Sequence, residues 1–366
     1  MKEYSQEELE KKIKEMQENM KTPNVLICGQ TGSGKSSAIN FIFKDDIAEV
    51  GNKGEPCTED IKFYPGTTIN IYDSEGYEIG GSKQDRYQKL VFNDFLLKPE
   101  NQKTDGVHLV WYTISAAGKR FTETDIALIK QIAQAKYPVC ILLTKIDELA
   151  EDQLKKITGD LIKDIPNVKV FKLSIVDEEN IQKYCDWEKL IEWSCDQLPD
   201  VYKDRFISGL RKGLAEKHKQ AGIAIGLASA AAAVVGASPI PFSDAALLIP
   251  IQSGLILRIL NLYGIKLAEG TISSMLAGIG LSALGRAAAG GLLKLIPVVG
   301  AIVGGVVNAT VAAAFTGAIG AALNEICYKQ CKDMLSGKEI LFDIEELLSS
   351  SAFFDLVKQN MQNKGN

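Results

Sequence analysis

The sequence predicts an α/β domain with a mainly parallel sheet and helices on both faces, followed by an all-helical domain rich in alanine and glycine. Three observations point there. Short apolar runs alternate with longer polar stretches of helical spacing through the first half of the chain, the pattern of strands buried on both faces. The composition then changes sharply. From Ala221 to Asn324 the only charged residues are Asp244, Arg258, Lys266, Glu269, Arg286 and Lys294. The third is a glycine-rich run, GQTGSGKSS at 29–37, set between an apolar strand and a helical pattern.

Taken in order, residues 1–22 read as a leading amphipathic helix with Leu9, Ile13, Met16 and Met20 on one stripe. Its charged start does not fit a secretory signal. Strands are expected at NVLICG (24–29), TTINIYD (67–73), VHLVWYTIS (107–115), PVCILLT (138–144) and VKVFKLS (168–174). DIKFYP (60–65) reads as an antiparallel edge strand, and 122–136 and 180–196 as helices. This domain is bounded at 23–198, where LPDVYKD begins a basic linker helix over 199–220. Residues 221–366 then form the hydrophobic domain, with prolines 239, 241, 250 and 297 separating four or five helices and a more polar closing helix near 340–360.

Composition narrows the classes. A chain of 366 residues suits about two domains. A net charge of -5 gives no electrostatic case for nucleic acid. Seven cysteines show no paired metal spacing and only His108 and His218 exist, so reduced thiols in a cytoplasmic protein are expected.

The run at 29–37 fits G-x-x-x-x-G-K-S with Gly29, Gly34, Lys35 and Ser36. Between them stand Gln30, Thr31, Gly32 and Ser33, and Ser37 follows. Glycines let backbone N–H groups turn inward around phosphate oxygens, and the following helix aims its positive end at the same anion. Lys35 would reach the outer phosphates and the Ser36 hydroxyl would ligate Mg²⁺. A glycine-rich turn with no ligand is the plain alternative, against which strand, spacing and Lys-Ser all agree.

A phosphate loop does not name the base. IYDSEGYE supplies Asp73-x-x-Gly76, with Asp73 for the Mg²⁺ shell and the Gly76 N–H as a γ-phosphate sensor. LLTKIDE supplies Thr144, Lys145 and Asp147. A carboxylate there accepts from guanine N1–H and the N2 amine, while the lysine stem packs on the base; adenine lacks that donor pair. KLSIVDE places Ser174 and Ile175 after the last strand, where backbone meets the base oxygen. Each motif alone has a surface-loop reading. Together, each follows a strand's carboxyl end, where open α/β sheets bind ligands.

This order resembles the translation-factor-related (TRAFAC) GTPases, and within them the Era/septin-like branch of bacterial GTPases carrying a hydrophobic helical domain of unknown function. GQTGSGKSSAINFIF, EVGNKGEPCTEDIKFY, YDSEGYE, VHLVWYTISAAGKRFTETD and LLTKIDE carry the likeness, and GASPIPFSDAALLIPIQ resembles the helical-domain signature. The resemblance implies a P-loop G domain, GTP with Mg²⁺, and Thr58 as the switch threonine at metal and γ-phosphate. Lys35, Thr58 and Gly76 then form the catalytic set, and Ser36, Thr58 and Asp73 the metal set.

Two departures bear on rate. Ras-like proteins carry a water-orienting glutamine where this chain has Tyr77, so unaided hydrolysis is expected to be slow. Era-like members that recruit potassium often carry asparagine where this chain has Gly32. The loop is closer to those of septins and vertebrate immune-associated GTPases, which implies a G-domain homodimer or a partner completing the site. Lys119 and Arg120 are candidates in cis, with solvated surface charge as their plain reading.

For the hydrophobic half, the uncharged run 295–324 exceeds the roughly 20 residues that span a bilayer. Small residues recur at four-residue spacing, as in Gly222/Gly226, Gly300/Gly304 and Gly317/Ala321, and KDRFISGLRKGLAEKHK would suit an anionic surface. Membrane insertion or attachment at the inner face of the cell membrane is expected, against a soluble bundle hiding its apolar faces. The function expected is a Mg²⁺-dependent GTPase whose nucleotide state controls how the helical domain meets membrane or partners. The alternative is a non-hydrolysing GTP-binding module or soluble scaffold.

Overall fold

The computed structural model describes residues 11, 15, 20–43, 55–58, 61–74, 76–77, 81–118, 121–236, 244–265, 305–335 and 351–363. It divides into two compact units, Lys21–Gly213 and Met1–Met20 with Leu214–Asn366. The leading helix and residues 266–304 lie outside the described residues, apart from Lys11, Glu15 and Met20.

The first unit holds a seven-stranded sheet, β1 (Asn24–Gly29), β2 (Glu55–Thr58), β3 (Ile61–Tyr64), β4 (Asn70–Ser74), β5 (Leu109–Ser115), β6 (Val139–Thr144) and β7 (Lys169–Lys172), ordered β2-β3-β4-β1-β5-β6-β7. From β4 through β7 the pairing is parallel, and β2, β3 and β4 are antiparallel. All five expected strands and the antiparallel DIKFYP strand are present. That strand is not the edge. β2 lies outside it, pairing with a register shift between Pro56 and Thr58. A proline in a four-residue run does not read as a strand, yet a sheet edge tolerates its missing N–H.

The central strands are apolar on both faces because both are covered. Val25, Leu26, Ile27 and Cys28 of β1 are all fully buried. Leu26 and Cys28 join Val110, Tyr112, Ile141 and Leu143 in one core. On the other face, Trp111 stacks with Phe43 at 6.1 Å and meets Phe206 edge-on at 6.4 Å.

Helices α1 (Lys35–Ile42), α2 (Gly81–Gln88, continuing as a π-helix to Leu96), α3 (Glu123–Gln134) and α4 (Glu151–Asp164) lie between strands, and α5 (Trp187–Gln197) follows the last one. The stretch expected as one linker helix, 199–220, is divided. α6 (Asp200–Ser208) packs in the α/β unit through Phe206 and Ile207, both fully buried, and Leu210 bridges Phe43. The chain then breaks at Gly213 (φ 91°) before α7 (Leu214–Gly236). Charge along 199–220 masked an apolar stripe that completes the first core.

The second unit contains α7, α8 (Asp244–Tyr263, with Pro250 inside), α9 (Gly305–Leu335) and α10 (Ser351–Asn363). α9 is held close to its neighbours. A Cβ on Gly320 would lie 2.6 Å from Ile225 Cγ1 in α7 and 2.9 Å from Leu255 Cδ2 in α8. Polar pairs fix the register: Gln252 Nε2 donates to Thr316 Oγ1 at 3.2 Å and Tyr263 Oη to Asn324 Oδ1 at 2.6 Å. Leu214–Gly236 and Ala309–Leu335 are long and apolar enough to cross a membrane, by length and composition. They differ in burial: Phe315, Ile319 and Leu323 of the second are buried, whereas Leu227 and Val234 of α7 are 62% and 76% exposed.

Candidate functional site

The expected motifs converge at the carboxyl ends of β1, β4, β6 and β7. The turn after β1 is shaped by glycine: Gly29, Gly32 and Gly34 have φ of 136°, 73° and 89°. A Cβ on Gly29 would collide with the Thr113 carbonyl oxygen, so strand packing as well as conformation requires glycine here. Gly34 sits at the N-cap of α1, with Lys35 buried at the first helical position and Ser36 and Ser37 exposed behind it.

Three hydroxyls hold this turn from below. Ser33 Oγ lies 2.5 Å from Thr113 Oγ1, the Thr144 hydroxyl donates to the Ser33 carbonyl at 2.5 Å, and the Gly29 N–H donates to Tyr87 Oη at 2.8 Å. Lys35 Nζ donates to the carbonyls of Gly29 (3.3 Å) and Gln30 (3.2 Å). Burial lowers the Lys35 pKa and the Asp73 charge opposes it, so the β4 carboxylate acts electrostatically on the loop lysine.

Beyond Asp73, the chain returns across the turn. Thr31 N–H donates to the Tyr77 carbonyl at 3.0 Å and Thr31 Oγ1 to the Gly76 carbonyl at 2.7 Å. A Cβ on Gly76 would fall 2.6 Å from Lys35 Nζ. Thr58 closes β2 and is separated from β1 by β3 and β4 in the sheet. Lys119 and Arg120 lie outside the described residues.

At the other end, Lys145 takes a left-handed turn (φ 57°) after Thr144 and starts a 3-10 turn carrying exposed Asp147. Buried Ser174 donates its hydroxyl to Asp147 Oδ1 and receives the Val176 N–H at 3.1 Å. Gln182 secures that loop with bonds to the Ser174 carbonyl (3.1 Å) and the Val176 carbonyl (2.6 Å). Ile175 is 52% exposed beside them.

One hub was not anticipated. Asp125, fully buried, accepts from Tyr77 Oη (2.5 Å) and Tyr112 Oη (2.6 Å) at Oδ1, and from Gln30 Nε2 (3.0 Å) and the Thr122 N–H (2.8 Å) at Oδ2. Thr122 returns the bond as N-cap of α3, completing a capping box. The T-x-x-D in FTETD carries that capping signal, but nothing local announces the two phenols. Burial first, then the Asp125 charge, pushes the Tyr77 and Tyr112 phenols up, so both remain donors at neutral pH.

Among the described residues no group of three or more His, Cys, Asp and Glu side chains gathers as a metal cage. Mg²⁺ instead takes one or two protein oxygens and completes its shell with phosphates and water. Ser36 in the first turn of α1 and Asp73 near the end of β4 are hard oxygen donors on the two elements that flank Lys35, and this donor set fits that ion. The described cysteines are free thiols.

A glycine turn from a buried parallel strand into a helix, with its lysine at the first helical position, defines a P-loop nucleotide-binding domain. A family model described as a 50S ribosome-binding GTPase matches residues 24–145, and a domain of unknown function, DUF697, matches residues 215–350. The probable GTP-binding protein EngB of Mycoplasmopsis pulmonis is 30% identical over 142 residues, covering 37% of this chain and 73% of the relative. The GTPase Era of Clostridium beijerinckii is 20% identical over 188 residues, or 51% of this chain and 60% of Era. A crystal structure of a probable GTP-binding protein engB aligns over 48% of this chain and 97% of its own, at 10% identity and TM-score 0.34. The G domain of the T. maritima FeoB iron transporter aligns over 48% and 99%, at 19% identity and TM-score 0.32. The chain belongs to the TRAFAC-type bacterial GTPases that include EngB and Era, with a DUF697 domain following its G domain.

Proposed function

We propose that this protein binds GTP with Mg²⁺, hydrolyses it slowly unaided, and uses nucleotide state to control how its helical domain meets a membrane or partner. The observation carrying this reading is the tie between the two ends of the site, Thr144 to Ser33, with Asp147 held by Ser174 beyond it. That tie supports reading Asp147 as a base-reading carboxylate held on one frame with an anion-cradling turn.

In this reading the backbone of 29–36 and Lys35 bind the phosphates, with Gln30, Thr31, Gly32, Ser33, Ser36 and Ser37 around them. Asp147 accepts the guanine donor pair, with Thr144, Lys145, Ser174 and Ile175 framing the base. Ser36, Thr58 and Asp73 would hold Mg²⁺, which supplies charge neutralisation at the β- and γ-oxygens when bound. Thr58 and Gly76 contact γ-phosphate and are released after hydrolysis.

Slow hydrolysis follows from Tyr77. Its hydroxyl is committed to Asp125, so it orients no water, and a second G domain or a partner would complete the site. The same observation supports the second reading, a GTP-binding module or soluble scaffold that does not hydrolyse. The exposed side chains of Ile223, Leu227 and Val234 on α7 support association with a membrane, at the inner face of the cell membrane for a cytoplasmic protein.

GTP and ATP binding measured side by side with Mg²⁺ tests the core claim: GTP is expected to bind far more tightly, and equal retention of both would end it. Phosphate release in a single turnover separates hydrolysis from mere binding. Specific activity that does not change with protein concentration would count against self-association. Flotation with liposomes under GTP, GDP or no nucleotide tests the helical domain.

A further inference from the structure

The Gly76–Tyr77 backbone uses two donors of the phosphate loop. Thr31 N–H goes to the Tyr77 carbonyl and Thr31 Oγ1 to the Gly76 carbonyl. A backbone N–H of a phosphate loop is the group that an outer phosphate oxygen would claim. The same segment is fixed from its other side, because Tyr77 is only 5% exposed and its hydroxyl meets Asp125, Thr122 Oγ1 (3.1 Å) and Gln30 Nε2 (3.2 Å). Gln30 also donates directly to Asp125. One carboxylate therefore grips both the loop residue before Thr31 and the tyrosine whose carbonyl occupies Thr31.

We propose that Asp125 is a positioning residue that sets the preference between guanosine di- and triphosphate: by anchoring Tyr77 it holds the Gly76–Tyr77 backbone over Thr31, where it competes with the outermost phosphate. This rests on the guanine-nucleotide reading above. A diphosphate leaves the latch in place. A triphosphate must displace it, and the strength of the Tyr77–Asp125 bond sets how readily that happens. A phenol donating to a carboxylate is a charge-assisted bond, so its loss is large enough to read as an affinity ratio.

The test is calorimetric titration of the full chain with Mg²⁺ and either GDP or a non-hydrolysable GTP analogue. Tyr77→Phe removes one hydroxyl and leaves Asp125 its bonds from Tyr112, Gln30 and Thr122. It is expected to shift the ratio of affinities toward the triphosphate by about tenfold. Thr31→Ala, at an exposed side chain that poses little folding risk, removes the Gly76 contact and should shift the ratio the same way by a smaller factor. Asp125→Asn should give the larger shift; if it does not fold, the other two variants still decide. An unchanged ratio in Tyr77→Phe and Thr31→Ala, or an equal loss for both nucleotides, overturns the latch while leaving the guanine-nucleotide reading intact. A parent protein that binds neither nucleotide removes that reading, and the latch with it.

Discussion

The Thr144 hydroxyl donates to the Ser33 carbonyl at 2.5 Å, joining the end of β6 to the phosphate turn across 111 residues of sequence. Ser33 in turn meets Thr113, whose hydroxyl donates to the Cys28 carbonyl at 3.0 Å. The floor of the phosphate turn is thus a chain of hydroxyls across β1, β5 and β6. Thr144→Val keeps the shape and removes the donor. The expected cost is about 1–2 kcal/mol in urea unfolding, with guanine-nucleotide affinity lower by about tenfold in calorimetry. Thr144→Ser should restore most of both.

Asp147→Asn tests base reading. The substitution turns an acceptor into a donor at the guanine edge. GTP affinity is expected to fall by about a hundredfold or more, and xanthosine triphosphate to bind better than GTP. Ser174→Ala, which frees the carboxylate from its hydroxyl partner, should lower GTP affinity less and leave the base preference unchanged. Unaltered GTP affinity in Asp147→Asn would remove that residue from the base site.

How much of this was legible depended on whether the signal was local. The turn at 29–37, Asp73-x-x-Gly76 and Thr144-Lys145-Ile146-Asp147 each carry their chemistry in a few consecutive residues, and five parallel strands showed as apolar runs because both faces of the sheet are covered. β2 was hidden by Pro56. The place of α6 in the first core was hidden because charged residues surround its buried side chains, Tyr202, Phe206 and Ile207. The Asp125 hub was hidden for a stronger reason. Its partners Gln30, Tyr77 and Tyr112 come from three separate segments, and only the fold brings them to one carboxylate.

His108 makes folding sensitive to acid. Its Nδ1 accepts the Asn24 N–H at 3.0 Å while Nε2 faces the Thr104 carbonyl at 3.1 Å, an arrangement served by the neutral ring with its proton on Nε2. Burial lowers its pKa below the ordinary value near 6.5, outweighing the opposing pull of these bonds and of Asp105. The unfolded chain therefore binds the proton more readily than the folded one. The contribution to stability is full above pH about 6.5 and is lost as pH falls through the folded value. Urea unfolding at pH 7.5 and 5.5 should show lower stability in acid, and His108→Gln should narrow the difference.

Glycines in the helical unit divide into two kinds, and alanine substitution separates them. At Gly320 a Cβ would press on Ile225 Cγ1 at 2.6 Å and on Leu255 Cδ2 at 2.9 Å; the first is a branch inside the Ile225 side chain, not a free end that swings away. Gly320→Ala must push α7 from α9, at an expected cost of about 1–3 kcal/mol. At Gly226, on the exposed face of α7, a Cβ meets nothing within 4 Å. Gly226→Ala removes backbone freedom from the unfolded chain and should stabilise by up to about 1 kcal/mol. Thermal unfolding of both variants checks the pair. If Gly226→Ala instead destabilises as much as Gly320→Ala, the Gly226 face of α7 is packed against something in solution, and its apolar side chains are covered rather than open to a membrane.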